Sequence, residues 1–292
     1  MLWYFDRPGY ERHARVRRAF SDPLDSAPER VLHGFVTGTS SGLGRAALTR
    51  LRGFGHQVMG CSRRATESSE ICLDLADWAA VADAVEQLDV LDFVALNAGG
   101  MPPEFATNAD GVELQFASQV FGHFLLAHNL VRSGRLRPGG RIIWMSSGGM
   151  YLARLHLRHL TENPRYDKVT TYANVKRAQV VLNEAMAAMP LFADFGCYAM
   201  HPGWAETPGV ESSIPVFHRL TRRLLRDADQ GADTLVWLAA RKAGLTPALR
   251  SGAFYFDRLR TNTHLTPLTR EARAVREGLV QALWERLAPY LA

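Results

Sequence analysis

One stretch limits this chain more than any other. Residues 31–37 (VLHGFVT) are short and mostly apolar, and they read as a buried strand. They run directly into Thr37-Gly38-Thr39-Ser40-Ser41-Gly42-Leu43-Gly44, and a helix follows to about residue 54. A glycine-rich turn between a strand and a helix brings backbone N–H groups and the helix N-terminus against a phosphate. The spacing is GxxxGxG rather than the GxGxxG of the usual dinucleotide fingerprint.

Strands are expected at 57–61, 71–74, 91–97, 141–145, 195–200 and 253–256, and helices at 76–88, 110–131, 170–189, 230–240 and 269–287. The fold class is therefore α/β, a Rossmann-type doubly wound parallel sheet of about seven strands flanked by helices. Ligands of such sheets sit at the C-terminal ends of the strands. At the end of the second strand, Cys61 and Ser62 supply no carboxylate, and Arg63 and Arg64 follow at once. An acidic residue there would hold the ribose of NAD, whereas arginine accommodates the 2′-phosphate of NADP, so NADP(H) is favoured over NAD(H). Asp74, with Leu75 beside it, either approaches the adenine or caps the helix at 76–88. Asn97-Ala98-Gly99-Gly100 is small enough to let backbone lie beside a cofactor.

Tyr172 and Lys176 stand four apart in the 170–189 helix, which stacks them on one face. A phenol beside an ammonium is a proton donor in waiting, because positive charge favours the phenolate. Composition sharpens the pairing. Of 34 Lys+Arg, only Lys168, Lys176 and Lys242 are lysine. Ser147 leaves the C-terminal end of the fifth strand ahead of Tyr172 and is a candidate hydroxyl donor.

Other readings are narrower. The net charge of +5 and pI near 9.3 could suit a polyanion, but the basic residues are scattered and no nucleic-acid motif accompanies them. Cys61, Cys72 and Cys197 form no CxxC, which argues against a disulfide framework or a zinc site and points to a reducing, cytoplasmic compartment. There is neither an HExxH nor a GxSxG motif. No apolar run reaches membrane-spanning length, and the N-terminus lacks the form of a signal peptide. Residues 1–30 read as a basic leader, with 9–20 a short helix either packed on the outside of the domain or touching a membrane surface. Residues 31–292 read as a single NAD(P)-binding domain with a substrate lid around 203–226.

The ordered set strand–TGTSSGLG–helix, Asn97-Ala98-Gly99, strand–Ser147, Tyr172-xxx-Lys176 and Pro202-Gly203 resembles the short-chain dehydrogenase/reductase superfamily over about residues 30–260. The glycine spacing is similar to the dehydrogenase branch rather than the epimerase branch. The long interval from Ser147 to Tyr172 is similar to the retinol-dehydrogenase-like group. The resemblance implies hydride transfer between C4 of the nicotinamide and a carbonyl or carbinol carbon, and the apolar residues of the lid and of the stretch before Tyr172, among them Met150, Leu152, Leu155, Trp204 and Phe217, point to a small apolar substrate. It makes Tyr172 the general acid–base, Lys176 the residue that lowers its pKa and holds the ribose, and Ser147 the donor to the substrate oxygen. Pro202, Gly203 and Thr207 would border the nicotinamide. Gln119 stands where the superfamily usually has an asparagine, three residues before Gly122, which makes a weakly active cofactor-binding sensor or partner-binding protein the alternative. A homodimer through the two long helices is permitted by their broad apolar faces.

Overall fold

β1 (His33–Thr37) lies at the middle of the sheet and is buried along four of its five residues, as its apolar run requires of a strand covered on both faces. The structure is a computed structural model that describes residues 5–19, 30–65, 67, 70–206, 221, 224–242 and 248–292. β1 pairs with β2 (Gln57–Ser62) on one side and β4 (Leu91–Leu96) on the other. β3 (Glu70–Cys72), β5 (Leu136–Met145), β6 (Gly196–Met200), β7 (Phe254–Phe256) and β8 (Leu259–Thr261) complete the order β3-β2-β1-β4-β5-β6-β7-β8. The strand order reverses at β1/β4, which opens a crevice at the strands' C-terminal ends.

The doubly wound parallel sheet is as expected, but it has eight strands where about seven were expected. The added strand, β8, is antiparallel to β7 and only three residues long, with Leu259 and Arg260 exposed. It gives no alternating pattern to read. The β7–β8 turn puts Asp257 and Arg258 at φ 50° and 63°, a conformation costly for residues with a Cβ. Ion pairs of Asp257 with Arg226 and of Arg258 with Asp233 hold it there.

Two helix layers cover the sheet. On one face, α2 (Gly42–Gly53) and α6 (Ala228–Ala240) pack over Val36, Phe93, Ile143 and Met200. On the other lie α3 (Trp78–Glu86), the helix α4 running 114–132, and α5 (Lys168–Met186). The middle of α4, Ala117–Gly122, is π-helical, a form that recurs at functional sites. Asp167 caps α5 by accepting from Thr170 N at 2.7 Å, which starts the helix two residues before the expected position.

α7 (Arg273–Leu287) lies over both long helices. Trp284 meets Phe124 and His128 edge-on, each at 5.5 Å, and all of His123–Leu130 is buried. The guanidinium of Arg177 is paired with Glu271, both side chains about 1% exposed. The apolar faces that suggested a dimer are therefore covered by the chain itself.

The leader is not a separate appendage. α1 (Arg7–Ala19) turns Tyr10 and His13 inward and leaves Arg12 and Arg15 exposed, while Phe5 ahead of it is buried. Among the described residues, no helix is long and apolar enough to cross a membrane.

Candidate active site

The glycine turn is held by backbone before any ligand is considered. Gly38 N and Thr39 N both donate to the Cys61 carbonyl, at 2.7 and 3.1 Å, which ties the turn to the end of β2. Thr37 Oγ1 accepts from Asn97 N and Ala98 N, both at 2.9 Å, and Asn97 Nδ2 donates to the Thr37 carbonyl at 2.8 Å. This ties the turn to the end of β4. Gly44 sits in the angle, where an added Cβ would lie 2.1 Å from the Gly38 carbonyl oxygen. Ser41, at the N-cap of α2, is extended and makes no side-chain cap hydrogen bond, and the first turn holds no acidic residue. The first N–H groups of α2 are left to an external acceptor, so the donor set fits the diphosphate of a dinucleotide.

Arg63 and Arg64 are exposed just beyond β2, and among the described residues neither has an ion-pair partner. The neighbouring Arg45 and Arg52 are both paired with Glu67. Asp74 is exposed and accepts from Ala76 N at 2.9 Å, whereas the cap of α3 is Asp77, which accepts from Ala80 N. The helix-cap reading of Asp74 therefore passes to Asp77. Leu75 turns its side chain into the core, so its backbone alone can reach a ligand.

The reactive side chains converge at the ends of β5 and α5. Ser147 caps a 3-10 turn, Gly148–Leu152, by accepting from Gly149 N at 3.3 Å, and it stands close enough to Tyr172 to favour the phenolate. Ser146 Oγ donates to the Lys176 carbonyl at 2.8 Å, which locks α5 to the strand end. Lys176 Nζ donates to the Met145 carbonyl at 2.9 Å and lies 5.1 Å from the centre of the Tyr172 ring. Burial pushes the phenol of Tyr172 up to about 12, with the Ser147 hydrogen bond pulling it down. Burial also pushes Lys176 down to about 7. Burial and Ser147 account for the Tyr172 shift without Lys176, which differs from the expectation that Lys176 depresses the tyrosine. A lysine only partly charged at neutral pH has little field to exert on its neighbour.

Gln119 is buried in the π-helical segment. Its Nε2 donates to the Gly100 carbonyl at 2.8 Å, and its Oε1 has no hydrogen-bond partner among the described residues. A Cβ built at Gly99 would lie 2.8 Å from that Oε1 and 3.5 Å from Lys176 Nζ, so the two groups face each other across the glycine. The Gln119 carbonyl is already used, accepting from Gln179 Nε2 at 2.8 Å and contacting His123 Nδ1 at 3.1 Å. Burial holds His123 down to about 3, hence neutral.

Pro202 and Gly203 follow β6, with Gly203 N donating to His201 Nδ1 at 3.2 Å. Thr207 and most of the expected lid, 207–220, lie outside the described residues. The ends of the lid are joined, since Glu206 N donates to the Arg226 carbonyl and Arg226 N to that of Trp204, both at 2.7 Å. Arg226, Asp257, Phe5 and Arg177 were not anticipated, because each acts through partners distant in sequence. All three cysteines are free, and among the described residues no cluster could hold a metal ion.

Residues 35–237 match the model of the NAD dependent epimerase/dehydratase family. The chain is 34% identical to human dehydrogenase/reductase SDR family member 12, over 89% of this chain and 87% of that protein. It is 26% identical to mouse retinol dehydrogenase 14, over 76% of this chain and 80% of the other. Among solved structures, an uncharacterized protein from Mycobacterium paratuberculosis superposes with a TM-score of 0.68 at 22% identity, covering 91% of this chain and 96% of that one.

Proposed function

Since the chain belongs to the short-chain dehydrogenase/reductase superfamily of oxidoreductases, we propose that it is an NADP(H)-preferring enzyme that interconverts an apolar carbonyl compound and its alcohol. The observation that carries this reading is the convergence of Ser147, Tyr172 and Lys176 beside an uncapped, glycine-lined helix N-terminus. When bound, the nicotinamide supplies or accepts the hydride. Gly38–Gly44 and the first N–H groups of α2 would hold the diphosphate, Arg63 and Arg64 would take the 2′-phosphate, and Asp74 would serve the adenine.

Ser147 orients the substrate oxygen through its hydroxyl, which lies beside Tyr172. Tyr172 gives its proton to that oxygen in reduction and takes it back in oxidation; a positioned acid–base of this kind typically contributes about 10²–10⁴-fold. Lys176, fixed by the Met145 carbonyl, lies 5.1 Å from the centre of the Tyr172 ring, where its ammonium, when protonated, would favour the phenolate. Gln119 Oε1, without a hydrogen-bond partner among the described residues, stands on the other side of Gly99 from the Lys176 ammonium, and Gln119 takes the place of the superfamily's asparagine, one methylene further out.

Although the matching family model is that of epimerases and dehydratases, the GxxxGxG spacing favours simple dehydrogenation and reduction, as do relatives named dehydrogenase or reductase. Partly buried Trp204 and exposed Leu152 border the substrate side and suit an apolar molecule such as a retinoid. A homodimer would need a surface other than the α4/α5 face, which α7 covers. The test is a titration with NADPH and NADH by tryptophan quenching on wild type and Arg63→Ala. Wild type should prefer NADPH by at least about tenfold, and the variant should lose that preference, as expected when one charge-assisted phosphate contact is removed. Equal affinity of wild type for both cofactors overturns the assignment.

A further inference from the structure

The N-terminal segment is fastened to the substrate end of the site at three places. The Phe5 ring packs on Gly148, the residue after Ser147, so closely that a Cβ there would lie 2.8 Å from it. The same ring meets His201 at 4.5 Å and Phe256 at 5.0 Å, and it is 1% exposed. The Phe5 carbonyl accepts from Trp204 N at 2.7 Å, which fixes the loop after β6. Arg7 N donates to the Leu224 carbonyl at 2.9 Å, which fixes the far end of the lid.

A buried ion cluster locks this strap down. Arg226 donates through Nε to the Asp6 carbonyl at 3.1 Å, and through its two terminal nitrogens to Asp257 at 2.5 and 3.0 Å. His13 Nδ1 lies 2.6 Å from the second Asp257 oxygen. Arg226 also sits 5.2 Å from the centre of the Tyr10 ring. An unanchored leader would need none of these contacts. Their common effect is to join the segment after Ser147, the Pro202–Trp204 loop and the lid stem to a single brace.

We propose that residues 5–13 are part of the substrate half of the active site, with Phe5 a positioning residue that holds Gly148, and through it the Ser147 hydroxyl, in line with Tyr172. The inference deepens the oxidoreductase reading and rests on it. Among the described residues, the contacts of Phe5, Arg7 and His13 run to Gly148, the loop after β6, the Leu224–Arg226 segment and the β7–β8 turn, so the two halves of the site separate experimentally.

The test uses the full chain carrying Phe5→Ala and, as the milder change, Phe5→Leu. Hydrogen exchange should rise about tenfold or more for amides in 146–152 and 201–206, and stay within about twofold in α2 and β1. In steady-state reduction of all-trans-retinal by NADPH, kcat/KM should fall at least about tenfold for Phe5→Ala and less for Phe5→Leu, with NADPH affinity unchanged; sub-ångström misplacement of reacting groups has effects of this order. Exchange that rises uniformly, or not at all, in both variants overturns the proposal. So does local loosening with kcat/KM unchanged. A wild type inactive on retinal, with the local exchange pattern present in the Phe5 variants, counts against the substrate reading and leaves the brace standing on the exchange result.

Discussion

Replacing Lys176 by methionine should make the cofactor-free protein more stable while removing its chemistry. Lys176 is 2% exposed, and burial holds it down to about 7 against about 10.4 for a lysine in an unfolded chain. Between those values the unfolded chain binds more protons than the folded one, so wild-type stability rises with pH through this window. The burial penalty is greatest at and below pH 7, and it vanishes above the unfolded value. Integrating the linkage gives a penalty of about 4 kcal/mol at pH 7 and about 2 kcal/mol at pH 9.

Methionine has no charge to desolvate and nearly fills the same volume. The variant also loses the hydrogen bond to the Met145 carbonyl, worth about 1 kcal/mol at any pH. Its net advantage should therefore be about 3 kcal/mol at pH 7, shrinking by about 2 kcal/mol at pH 9. Urea unfolding of both proteins without cofactor, at the two pH values, measures this difference directly. All other titrating groups are common to both proteins and cancel. A variant less stable than wild type at pH 7, or an advantage that does not change with pH, refutes the reasoning.

Further outcomes follow from the packing. Glu271→Gln strands the buried Arg177 guanidinium and should cost about 3–5 kcal/mol at neutral pH. Burial works to raise the Glu271 carboxyl, but the hydrogen bonds and charge of Arg177 outweigh it, so its pKa is depressed. Its contribution is complete above the unfolded value of about 4.3 and is lost as pH falls through the folded one, so the gap between wild type and variant should narrow in acid unfolding series. Gly44→Ala should abolish NADPH binding by tryptophan quenching, since the new Cβ would lie 2.1 Å from the Gly38 carbonyl and the turn must open. Binding within about twofold of wild type would contradict that geometry.

What the sequence disclosed was whatever depends on local chemistry. The strand, the glycine turn and α2 were legible because an apolar run and three glycines allow few alternatives, and β4, β5 and β6 because their runs are buried on both faces. Ser147, Tyr172 and Lys176 were legible as spacing and order. Their electrostatics were not, because the lowered pKa of Lys176 arises from burial by distant elements. The brace was hidden for the same reason. Phe5 ends the short run Leu2-Trp3-Tyr4-Phe5 ahead of Asp6 and Arg7, and a run that short has no helical or strand period to announce which of its residues is a core position. Likewise, the cover of α7 over α4 depends on Trp284 meeting residues 124 and 128. The π-helical turn at Gln119 carries no compositional signal at all.

The central claim is that Tyr172 moves the proton for a hydride transfer in this site. The most direct measurement follows deuterium from C4-labelled NADPH into the carbinol carbon of an apolar aldehyde, for wild type and Tyr172→Phe. Wild type should transfer the label. Tyr172→Phe should bind NADPH within about twofold of wild type and transfer label at least about 10²-fold more slowly. Tyr172→Phe working at the wild-type rate, or a wild type that binds NADPH tightly yet transfers no label, would contradict it, and the second result would leave a cofactor-binding sensor in its place.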